Sequence, residues 1–314
     1  KLKITYPRTP KSNAPSFTKN FLLNHEHEIA QKIVEAREMN KANTTFIDTI
    51  LRHQHKGRIH SEIHQMRSDD GGTVTGRFSY SNPNLQQIPA RNEDIKKMIR
   101  SLFIPEDGMQ WGTFDYSQQE PRLVVHYAYA DGLDVRTIIN GYREGKADFH
   151  KMVAEIAQIP RSQAKTINLG LFYGMGKGKL MNELGIGKEE ADEIISIYQN
   201  RVPFVKQLTY NVMDKSSARG EIKTLLGRHC RFPFYEPREF GVKGFYKTKE
   251  EAISALGHGN YKRAGTYKAL NKLIQGSAAD QTKKAMVDLY EQDGIIPHIQ
   301  VHDELNISVK NKSE

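Results

Sequence analysis

The sequence predicts an α+β protein in which a helical lobe is inserted between the strands of one sheet. Strand-like runs occur at residues 111–116 and 299–309, whereas the spacing of apolar residues is helical through most of 148–220. Acidic residues stand at the end of the first run and inside the second. We therefore expect a mixed sheet that forms the floor of a site, with helices inserted between its strands.

Composition limits the classes of partner. Of the 314 residues, 38% are hydrophobic, which suffices for a sizeable core and more than one lobe. Forty-six Lys and Arg residues against 37 Asp and Glu give a net charge of +9, which favours nucleic acid or an anionic membrane surface as a partner. There is no apolar run of about 18 residues and no signal peptide, so we expect no membrane span. The single Cys230 excludes an internal disulfide and a multi-cysteine zinc site, as expected in a reducing compartment.

The local sequence predicts the order of the elements. It predicts a loop over 1–20, helix over 21–55, strands and turns over 57–81, a strand over 111–116, a helix with Pro121 in its first turn, helices over 148–220, irregular basic structure over 221–265, and a helix over 267–290 before the closing strands.

An acid occupies an unexpected position in the last strand. Residues 299–309 alternate apolar and polar side chains, so the odd positions are expected to face the core, yet position 303 is an aspartate. Two short strands joined by a tight turn at His302 to Glu304 would explain this. Alternatively, the Asp303 carboxylate faces inward toward a cation, which offsets the cost of burying it. This segment alone leaves both interpretations open.

Asp115 is a second acid at the end of a strand. Taken alone, an acid before a helix is better explained by a favourable interaction with the helix dipole. Two carboxylates brought together from strands about 190 residues apart need a cation between them, and oxygen ligands suit Mg²⁺. Asp115 and Asp303 together therefore indicate a site for divalent metal ions.

Residues 161–174 predict one wall of a nucleotide-binding cleft. On a helical wheel one arc is suited to the core and contains Ala164, Ile167, Gly170 and Leu171. The other arc contains Arg161, Lys165, Leu169 and Tyr173. A solvated face would explain the two cations but would leave an apolar and an aromatic residue exposed beside them. Cations one turn apart can hold a polyphosphate, while the other two residues can pack on a sugar and a base.

Two further segments have the composition of a minor-groove contact. Residues 75–89 combine Arg77 with hydroxyl and amide side chains, and Asn271 and Gln275 lie one turn apart on a helix beside small residues. Amides and arginine suit the minor groove because its acceptor pattern depends little on sequence. Turn formation and helix packing explain the same residues equally well.

Four histidines form a weaker alternative metal site. They are His53, His55, His60 and His64. Their positions span a turn and no cysteine joins them, so contact with solvent or with phosphate is the better explanation.

Four motifs in a fixed order resemble DNA polymerase family A, the family of bacterial DNA polymerase I and many phage replicative enzymes. Within residues 56–309 they are Thr75 to Pro89; Asp115-Tyr116-Ser117-Gln118 with Glu120 and Arg122; Arg161 through Lys165 to Tyr173-Gly174; and Val301-His302-Asp303-Glu304. The resemblance implies a right-hand polymerase fold with a palm sheet, helical fingers and a partial thumb. It implies a partial thumb and thumb–palm junction over 1–70, palm over 71–135, fingers over 136–270 and the second part of the palm over 271–314.

The resemblance also implies a role for each matching residue. The catalytic residues would be Asp115, Asp303 and Lys165. The metal ligands would be Asp115, the carbonyl of Tyr116, Asp303 and, more weakly, Glu304. The nucleotide-binding residues would be Arg161, Lys165, Leu169, Tyr173, His150, Glu120 and Gln118, with Glu120 and Tyr173 forming the gate against a ribose 2′-hydroxyl. The DNA-binding residues would be Arg77, Asn84, Gln86, Asn271, Gln275 and His302, the last beside the primer end.

The implied activity is template-directed DNA synthesis, in which deoxynucleotides from dNTPs are added to a primer 3′-hydroxyl with release of pyrophosphate. It would use two Mg²⁺ ions, which Mn²⁺ can replace. The implied partners are primer-template DNA and dNTPs, with a processivity factor or a helicase or primase as further candidates. The implied state is a monomer in the cytoplasm, that of the host for a phage protein.

Two other functions fit parts of the sequence. A noncatalytic primer-template-binding fragment is the first. A single-subunit RNA polymerase is the second, but such an enzyme is not expected to carry a bulky acid at position 120, so Glu120 favours DNA synthesis.

The sequence departs from the family pattern at several positions. Leu169 replaces an aromatic residue, Gln119 and Pro121 replace aliphatic ones, and Tyr267 stands where arginine is common. The chain also ends soon after Val309, has no room for an exonuclease domain and contains only part of a thumb. We therefore expect a fragment of a longer polymerase.

Overall fold

The computed structural model describes residues 5–9, 12–66, 72–89, 92–157, 159–172, 175–239 and 241–310. The chain forms two compact units. The first comprises Lys1–Ile63 and Tyr80–Glu106, and the second comprises His64–Ser79 and Asp107–Glu314.

The first unit is mainly helical. The elements in it and at its boundary are α1 (Lys19–Leu23), α2 (Glu28–Lys41), a π-helical segment (Ala42–Ile47), α3 (Asp48–His53), β1 (Gln54–His55), β2 (Arg58–Ile59), β3 (Glu62–His64), β4 (Ser79–Ser81), a 3-10 turn (Leu85–Gln87) and α4 (Glu93–Arg100). Helices α1 and α2 pack through Leu22, Ala30 and Val34. Helix α4 packs through Ile95 and Ile99 on the π-helical segment.

The second unit contains the remaining elements. They are β5 (Met109–Asp115), α5 (Gln119–Ala130), α6 (Arg136–Arg143), α7 (Phe149–Ala157), α8 (Arg161–Phe172), α9 (Lys177–Leu184), α10 (Lys188–Arg201), α11 (Pro203–Arg219), β6 (Glu221–Lys223), β7 (His229–Arg231), β8 (Tyr235–Pro237), α12 (Lys249–Leu256), β9 (Tyr261–Arg263), a 3-10 turn (Thr266–Lys268), α13 (Ala269–Asp293), β10 (Ile299–Val301) and β11 (Glu304–Lys310).

Local sequence sets the ends of several helices. Pro203 begins α11, where a missing N–H costs nothing, and Gly220 ends it with a φ of 75° that favours glycine. Thr248 and Glu251 form a capping box at the start of α12. Both helices therefore have an end set by a capping residue, although α12 lies within the region 221–265 that was predicted to be irregular.

The core of the second unit lies among its helices. Helices α5, α7, α8, α9, α11 and α13 contribute its largest fully buried side chains, which include Val124, Phe149, Ile167, Leu208 and Ile274. No helix within the described ranges is both long and apolar enough to cross a membrane.

The central sheet is three-stranded, in the order β10-β11-β5, and both pairings are antiparallel. The prediction of a mixed sheet is therefore wrong, because this sheet contains only antiparallel pairs. The tight turn between β10 and β11 requires an antiparallel pair, and the long helical insertion between β5 and β10 lets β5 join in either direction.

Both faces of β11 are covered. Leu305 and Ile307 are buried, as the alternation predicts, but Asn306 between them is buried as well. Its Oδ1 accepts hydrogen bonds from Trp111 Nε1 and Thr113 Oγ1, both at 3.0 Å, and its Nδ2 donates to Glu304 Oε1 at 2.8 Å. A polar residue is tolerated here because its amide is satisfied across the strand pair.

The Asn306→Ala variant should lower the free energy of unfolding by about 1–3 kcal/mol, because two donors on β5 lose their acceptor. Urea denaturation followed by circular dichroism measures the change. The matched control is Lys310→Ala, which alters an exposed residue at the end of the same strand and should leave stability unchanged. Equal stability of Asn306→Ala and the parent would contradict the role of this amide.

Candidate active site

Three carboxylates meet at one end of the central sheet. Strand β5 ends at Asp115, which is paired in register with Glu304 at the start of β11. The turn between β10 and β11 consists of His302 and Asp303, and His302 has a φ of 59°. The N–H of Tyr116 donates to the carbonyl of Asp303 at 3.4 Å, which holds the turn against the end of β5. The tight-turn interpretation of this segment is therefore correct, and strand pairing brings the predicted acids together.

The pKa values of Asp115 and Asp303 are both raised. Partial burial raises the pKa of Asp115, and the charges of Asp303 and Glu304 raise it further. The ammonium group of Lys165 opposes this rise. Burial also raises the pKa of Asp303. Ionising such a cluster costs free energy unless a cation lies beside it, so the oxygen donors fit a hard divalent ion.

The side chains do not form a complete metal cage by themselves. Across the part of the chain that the structure describes, no three His, Cys, Asp or Glu side chains are grouped so that they could hold a metal ion. A metal at the sheet edge would need further oxygen ligands, such as the Tyr116 carbonyl. The histidine alternative has no support among the same residues.

Helix α8 presents the two predicted phosphate-binding cations. Lys165 is exposed and lies close enough to Asp115 to lower the pKa of that acid. Arg161 donates from Nε and Nη2 to Asp148 Oδ2 at 2.9 and 2.7 Å. Burial by itself would raise the pKa of Asp148, but the N–H of Lys151 and the guanidinium group outweigh it and lower that pKa. Arg161 is thus already neutralised, whereas Lys165 has no ion-pair partner among the described residues.

The packing of α8 agrees with much of the helical wheel. Ala164 and Ile167 are fully buried, as predicted, and Phe172 is buried with them. The side chain of Leu169 and all of Tyr173 lie outside the described residues. Their predicted contacts with a nucleotide remain predictions.

His150 lies beside these cations but is buried. Its ring Nδ1 is 3.0 Å from Nδ2 of Asn168, which is fully buried on α8. With the amide as donor, Nδ1 accepts and the ring proton is on Nε2. Burial lowers the pKa of His150 to about 4, Asp148 opposes the change, and Arg161 reinforces it. His150 is therefore neutral near pH 7, and any phosphate contact would be a hydrogen bond from Nε2. Sequence reasoning missed Asn168, which lies seven residues after Arg161 and so faces the same side of the helix.

The predicted sugar gate is held by an ion pair. Arg77 Nη2 donates to Glu120 Oε1 at 2.5 Å, and the side chains are only 24% and 12% exposed. Arg77 was predicted to bind DNA, and Glu120 to exclude the ribose hydroxyl. Glu120 raises the pKa of Asp303 and Arg77 lowers it, so the pair lies within electrostatic reach of the acids.

Two glutamines connect the strand–helix turn to its neighbours. Gln118, predicted to bind the nucleotide, has a φ of 55° and accepts through Oε1 from the N–H of Phe149 at 2.9 Å. It therefore positions the start of α7. The amide of Gln119 is buried and donates to the carbonyl of Ala278 at 3.3 Å and to Gln281 Oε1 at 3.1 Å. A glutamine can therefore replace an aliphatic residue at position 119 because its buried amide forms hydrogen bonds with α13.

The remaining predicted DNA contacts lie in both units. Asn271 and Gln275 are half-buried on α13, and their amides make no hydrogen bond to another described residue. Asn84 and Gln86 belong to the first unit. Asn84 Oδ1 accepts from the N–H of Gln86 at 3.1 Å and so begins a 3-10 turn, which is the structural role that its sequence context also allowed.

Sequence reasoning missed Arg228. Its guanidinium donates to the carbonyls of Thr75 and Gly276 at 2.7 and 2.9 Å and to Asp280 Oδ1 at 3.0 Å. A Cβ at Gly76 would lie 2.6 Å from Cζ of this arginine, and one at Gly276 would lie 2.8 Å from its Nη2. The sequence signal that could have pointed to a large side chain here was the pair of glycines, Gly76 and Gly276, next to the predicted DNA contacts Arg77 and Gln275. Arg228 therefore joins the segment that carries Arg77 to helix α13.

Comparisons with known proteins agree with this fold. A family model described as DNA polymerase family A matches residues 1–314. A DNA-directed DNA polymerase of Pseudomonas phage M6 is 35% identical over 96% of this chain and 49% of the relative. The thermostable DNA polymerase I of Thermus aquaticus is 35% identical over 90% of this chain and 32% of the relative.

A solved structure has the same fold. It is the POL domain of Pol1 from M. smegmatis in complex with DNA primer-template and dNTP, with a TM-score of 0.77 and 28% identity over 99% of this chain and 53% of that one. The predicted right-hand polymerase fold class is confirmed by this match.

The chain therefore belongs to DNA polymerase family A. It spans about half the length of the phage relatives that it matches, 49% of the M6 polymerase and 50% of the DNA polymerase DpoZ of Acinetobacter phage SH-Ab 15497.

Acid should destabilise the fold partly through His150. Its pKa is about 4 in the folded chain against 6.5 ordinarily, so its contribution to stability is complete above pH 6.5 and is lost as the pH falls toward 4. This contribution is at most about 3 kcal/mol. Between pH 6.5 and pH 4 the free energy of unfolding should fall less in His150→Gln than in the parent. Urea denaturation at each pH measures it.

The matched control is His126→Gln, which changes an exposed histidine on α5. It should keep the parent's dependence of stability on pH. If His150→Gln kept it as well, the imidazole would not be the group responsible.

Proposed function

We propose that this chain catalyses template-directed DNA synthesis, adding deoxynucleotides from dNTPs to a primer 3′-hydroxyl and releasing pyrophosphate. The observation that carries the proposal is the pairing of Asp115 with Glu304, which sets two acids beside Asp303 at one sheet edge. An exposed lysine on α8 lies within electrostatic reach of them. Family membership supports the same activity.

The acids would hold divalent metal. Asp115 and Asp303, with the carbonyl of Tyr116, would bind two Mg²⁺ or Mn²⁺ ions, and Glu304 would be a weaker ligand. The bound ions would lower the pKa of the primer hydroxyl and neutralise charge on the triphosphate. The mutual repulsion of these acids supports the assignment, since a cation relieves it.

Helix α8 would bind the triphosphate. Lys165 would contact the triphosphate first, because no described acid pairs with it. It could also protonate the leaving pyrophosphate. Arg161 would exchange its carboxylate partner, Asp148, for phosphate oxygens, which match its planar donors equally well. His150 would add a neutral N–H, since its pKa of about 4 keeps it uncharged near pH 7. Closure of α8 on a correct base pair is the expected gating step.

The ion pair of Glu120 and Arg77 would select the sugar. A carboxylate held at 2.5 Å by a guanidinium has little freedom to move away from a 2′-hydroxyl. Tyr173 would form the other side of the gate, and Leu169 would leave the sugar without an aromatic neighbour.

Other residues would bind primer and template. On α13 the unoccupied amides of Asn271 and Gln275 suit the minor groove. Arg77 would contribute there when DNA competes for its guanidinium, and His302 would lie at the primer end. Asn84 and Gln86 would be the DNA contacts of the first unit. The partial thumb and thumb–palm junction would comprise residues 1–70, the palm 71–135 and 271–314, and the fingers 136–270.

The Asp303→Asn variant should lose primer extension while it retains primer-template binding. Loss of a metal ligand removes several kcal/mol of transition-state stabilisation, so the rate should fall on the order of 10³-fold. Single-turnover extension with Mg²⁺ and fluorescence anisotropy of labelled DNA measure the two properties. The matched control is Asp288→Asn, on an acid of α13 that pairs with Lys284 and should extend normally. Extension by Asp303→Asn at the parent's rate would refute the metal role.

Arg77→Met should weaken discrimination against ribonucleotides, because Glu120 would lose the partner that holds it. We expect the ratio of ATP to dATP incorporation to rise about tenfold in Arg77→Met and on the order of 100-fold in Glu120→Ala. The ratio is measured on one primer-template, so a change in DNA affinity cancels. In the double variant the Arg77 substitution should add nothing. If the two effects multiplied instead, Arg77 would not act through Glu120.

A further inference from the structure

A small sheet that precedes α13 in the chain and contacts α12 has two different faces. Strands β8 and β9 pair with Glu236 opposite Lys262. On the other edge of β8, Tyr235 and Tyr246 exchange both main-chain hydrogen bonds at 2.9 Å. Side chains alternate along extended chain, so Tyr235 and Tyr246 share one face and the residues next to them share the other.

The tyrosine face is anchored to the rest of the second unit. Arg263 lies 5.2 Å from the ring centroid of Tyr235 and donates to the carbonyls of Ser217 and Phe232 at 3.0 and 3.1 Å. A Cβ at Gly220 would lie 2.7 Å from Cζ of this arginine, so the glycine makes room for it. The sheet is thus fixed to the end of α11, and its outer face is held in place before any ligand arrives.

The opposite face presents aromatic rings to solvent. The rings of Phe234 and Phe245 contact each other with centroids 4.6 Å apart, yet the residues are 38% and 64% exposed. Neither ring belongs to the hydrophobic core of the second unit. Their exposure is therefore a property of the surface that calls for a partner with flat apolar faces.

Lysines alternate with one of these rings. Lys243, Phe245 and Lys247 are two residues apart, and all three are exposed. Tyr246, between Phe245 and Lys247, is bridged to β8, so this segment runs beside the edge of the sheet. Neither lysine has an ion-pair partner among the described residues. Lys262 adds a third cation, 3.7 Å from Glu236.

We propose that this face, Phe234 and Phe245 with Lys243 and Lys247, binds the unpaired template strand ahead of the primer. Every base has a flat ring that can stack on phenylalanine, and the lysines match the phosphates between successive bases, so the surface would accept any sequence. The inference rests on the proposed function, because a template-directed polymerase always holds a single strand that is still to be copied. The chain leads directly from β9 through one 3-10 turn into α13, which carries Asn271 and Gln275.

The test measures the affinity of the full chain for primer-template as a function of the length of the unpaired template. One labelled primer is annealed to templates with a single unpaired nucleotide or with a long unpaired extension. Anisotropy is recorded without metal or dNTP, so catalysis does not enter. We expect the parent to bind the long extension on the order of tenfold more tightly, and Phe234→Ala/Phe245→Ala to lose that difference. Lys243→Gln/Lys247→Gln should reduce the salt dependence of binding by about 0.7 in log–log slope for each lysine.

Two further variants separate stacking from folding. Phe245→Tyr keeps an aromatic ring and should bind like the parent, whereas Phe245→Leu keeps apolar bulk without a ring and should bind like the alanine variant. Tyr290→Ala, on an aromatic residue of α13 that is 60% exposed, is the control outside the sheet and should change nothing.

Three results would overturn the proposal. They are a parent affinity that does not depend on the extension, an unchanged dependence in Phe234→Ala/Phe245→Ala, and an equal loss in Tyr290→Ala. The second would indicate a protein as the occupant of this face. Primer extension by the parent separates this proposal from the proposed function. A parent that extends primers but binds templates of both lengths equally well refutes only the binding of unpaired template to this face.

Discussion

The antiparallel pairing of β5 with β11 is the constraint on which the rest of the site depends. It aligns Asp115 with Glu304, and the turn before β11 then places Asp303 beside Tyr116. Gathering acids in this way is unfavourable, since burial and the charges of Asp303 and Glu304 raise the pKa of Asp115. The pairing offsets that cost through main-chain hydrogen bonds and through the buried amide of Asn306, which links both strands. Hydrogen bonds between β5 and β11 thus hold the acids together at the edge of the sheet.

Around this edge, ion pairs hold the groups that would meet the substrate. Glu120 is paired with Arg77, and Arg161 with Asp148, so two of the predicted ligands are neutralised before any nucleotide or DNA binds. Lys165 is the described α8 cation without such a partner. This arrangement limits repulsion among cations on one wall and directs a triphosphate first to the lysine. Exchange of Asp148 for phosphate would then follow at little cost, because one anion replaces another.

A second layer of residues fixes the walls to helix α13. Arg228 reaches the segment before Arg77 through the carbonyl of Thr75, and Gln119 reaches the carbonyl of Ala278. Glycine at position 276 is required because the guanidinium of Arg228 fills the space of a side chain. The long helix thereby acts as a common support for the strand–helix turn and for the gate. None of these contacts involves a charge that the proposed reaction uses.

The sequence by itself determined the family and many of the elements, because periodicity, capping and short motifs are local properties. Its prediction of irregular structure over 221–265 was wrong, since β6 to β9 and α12 form there. It predicted the strand that ends at Asp115 and the buried face of α8 through Ala164 and Ile167, and it gave the turn at Asp303 as one of two interpretations. Only the tertiary structure decided strand direction, the partners of Arg77 and Arg161, and the burial that lowers the pKa of His150 to about 4. These depend on side chains tens to hundreds of residues apart, and chain order places no limit on which cation meets which acid. Hydrogen-bond geometry and desolvation make that choice, and both exist only once the chain is folded.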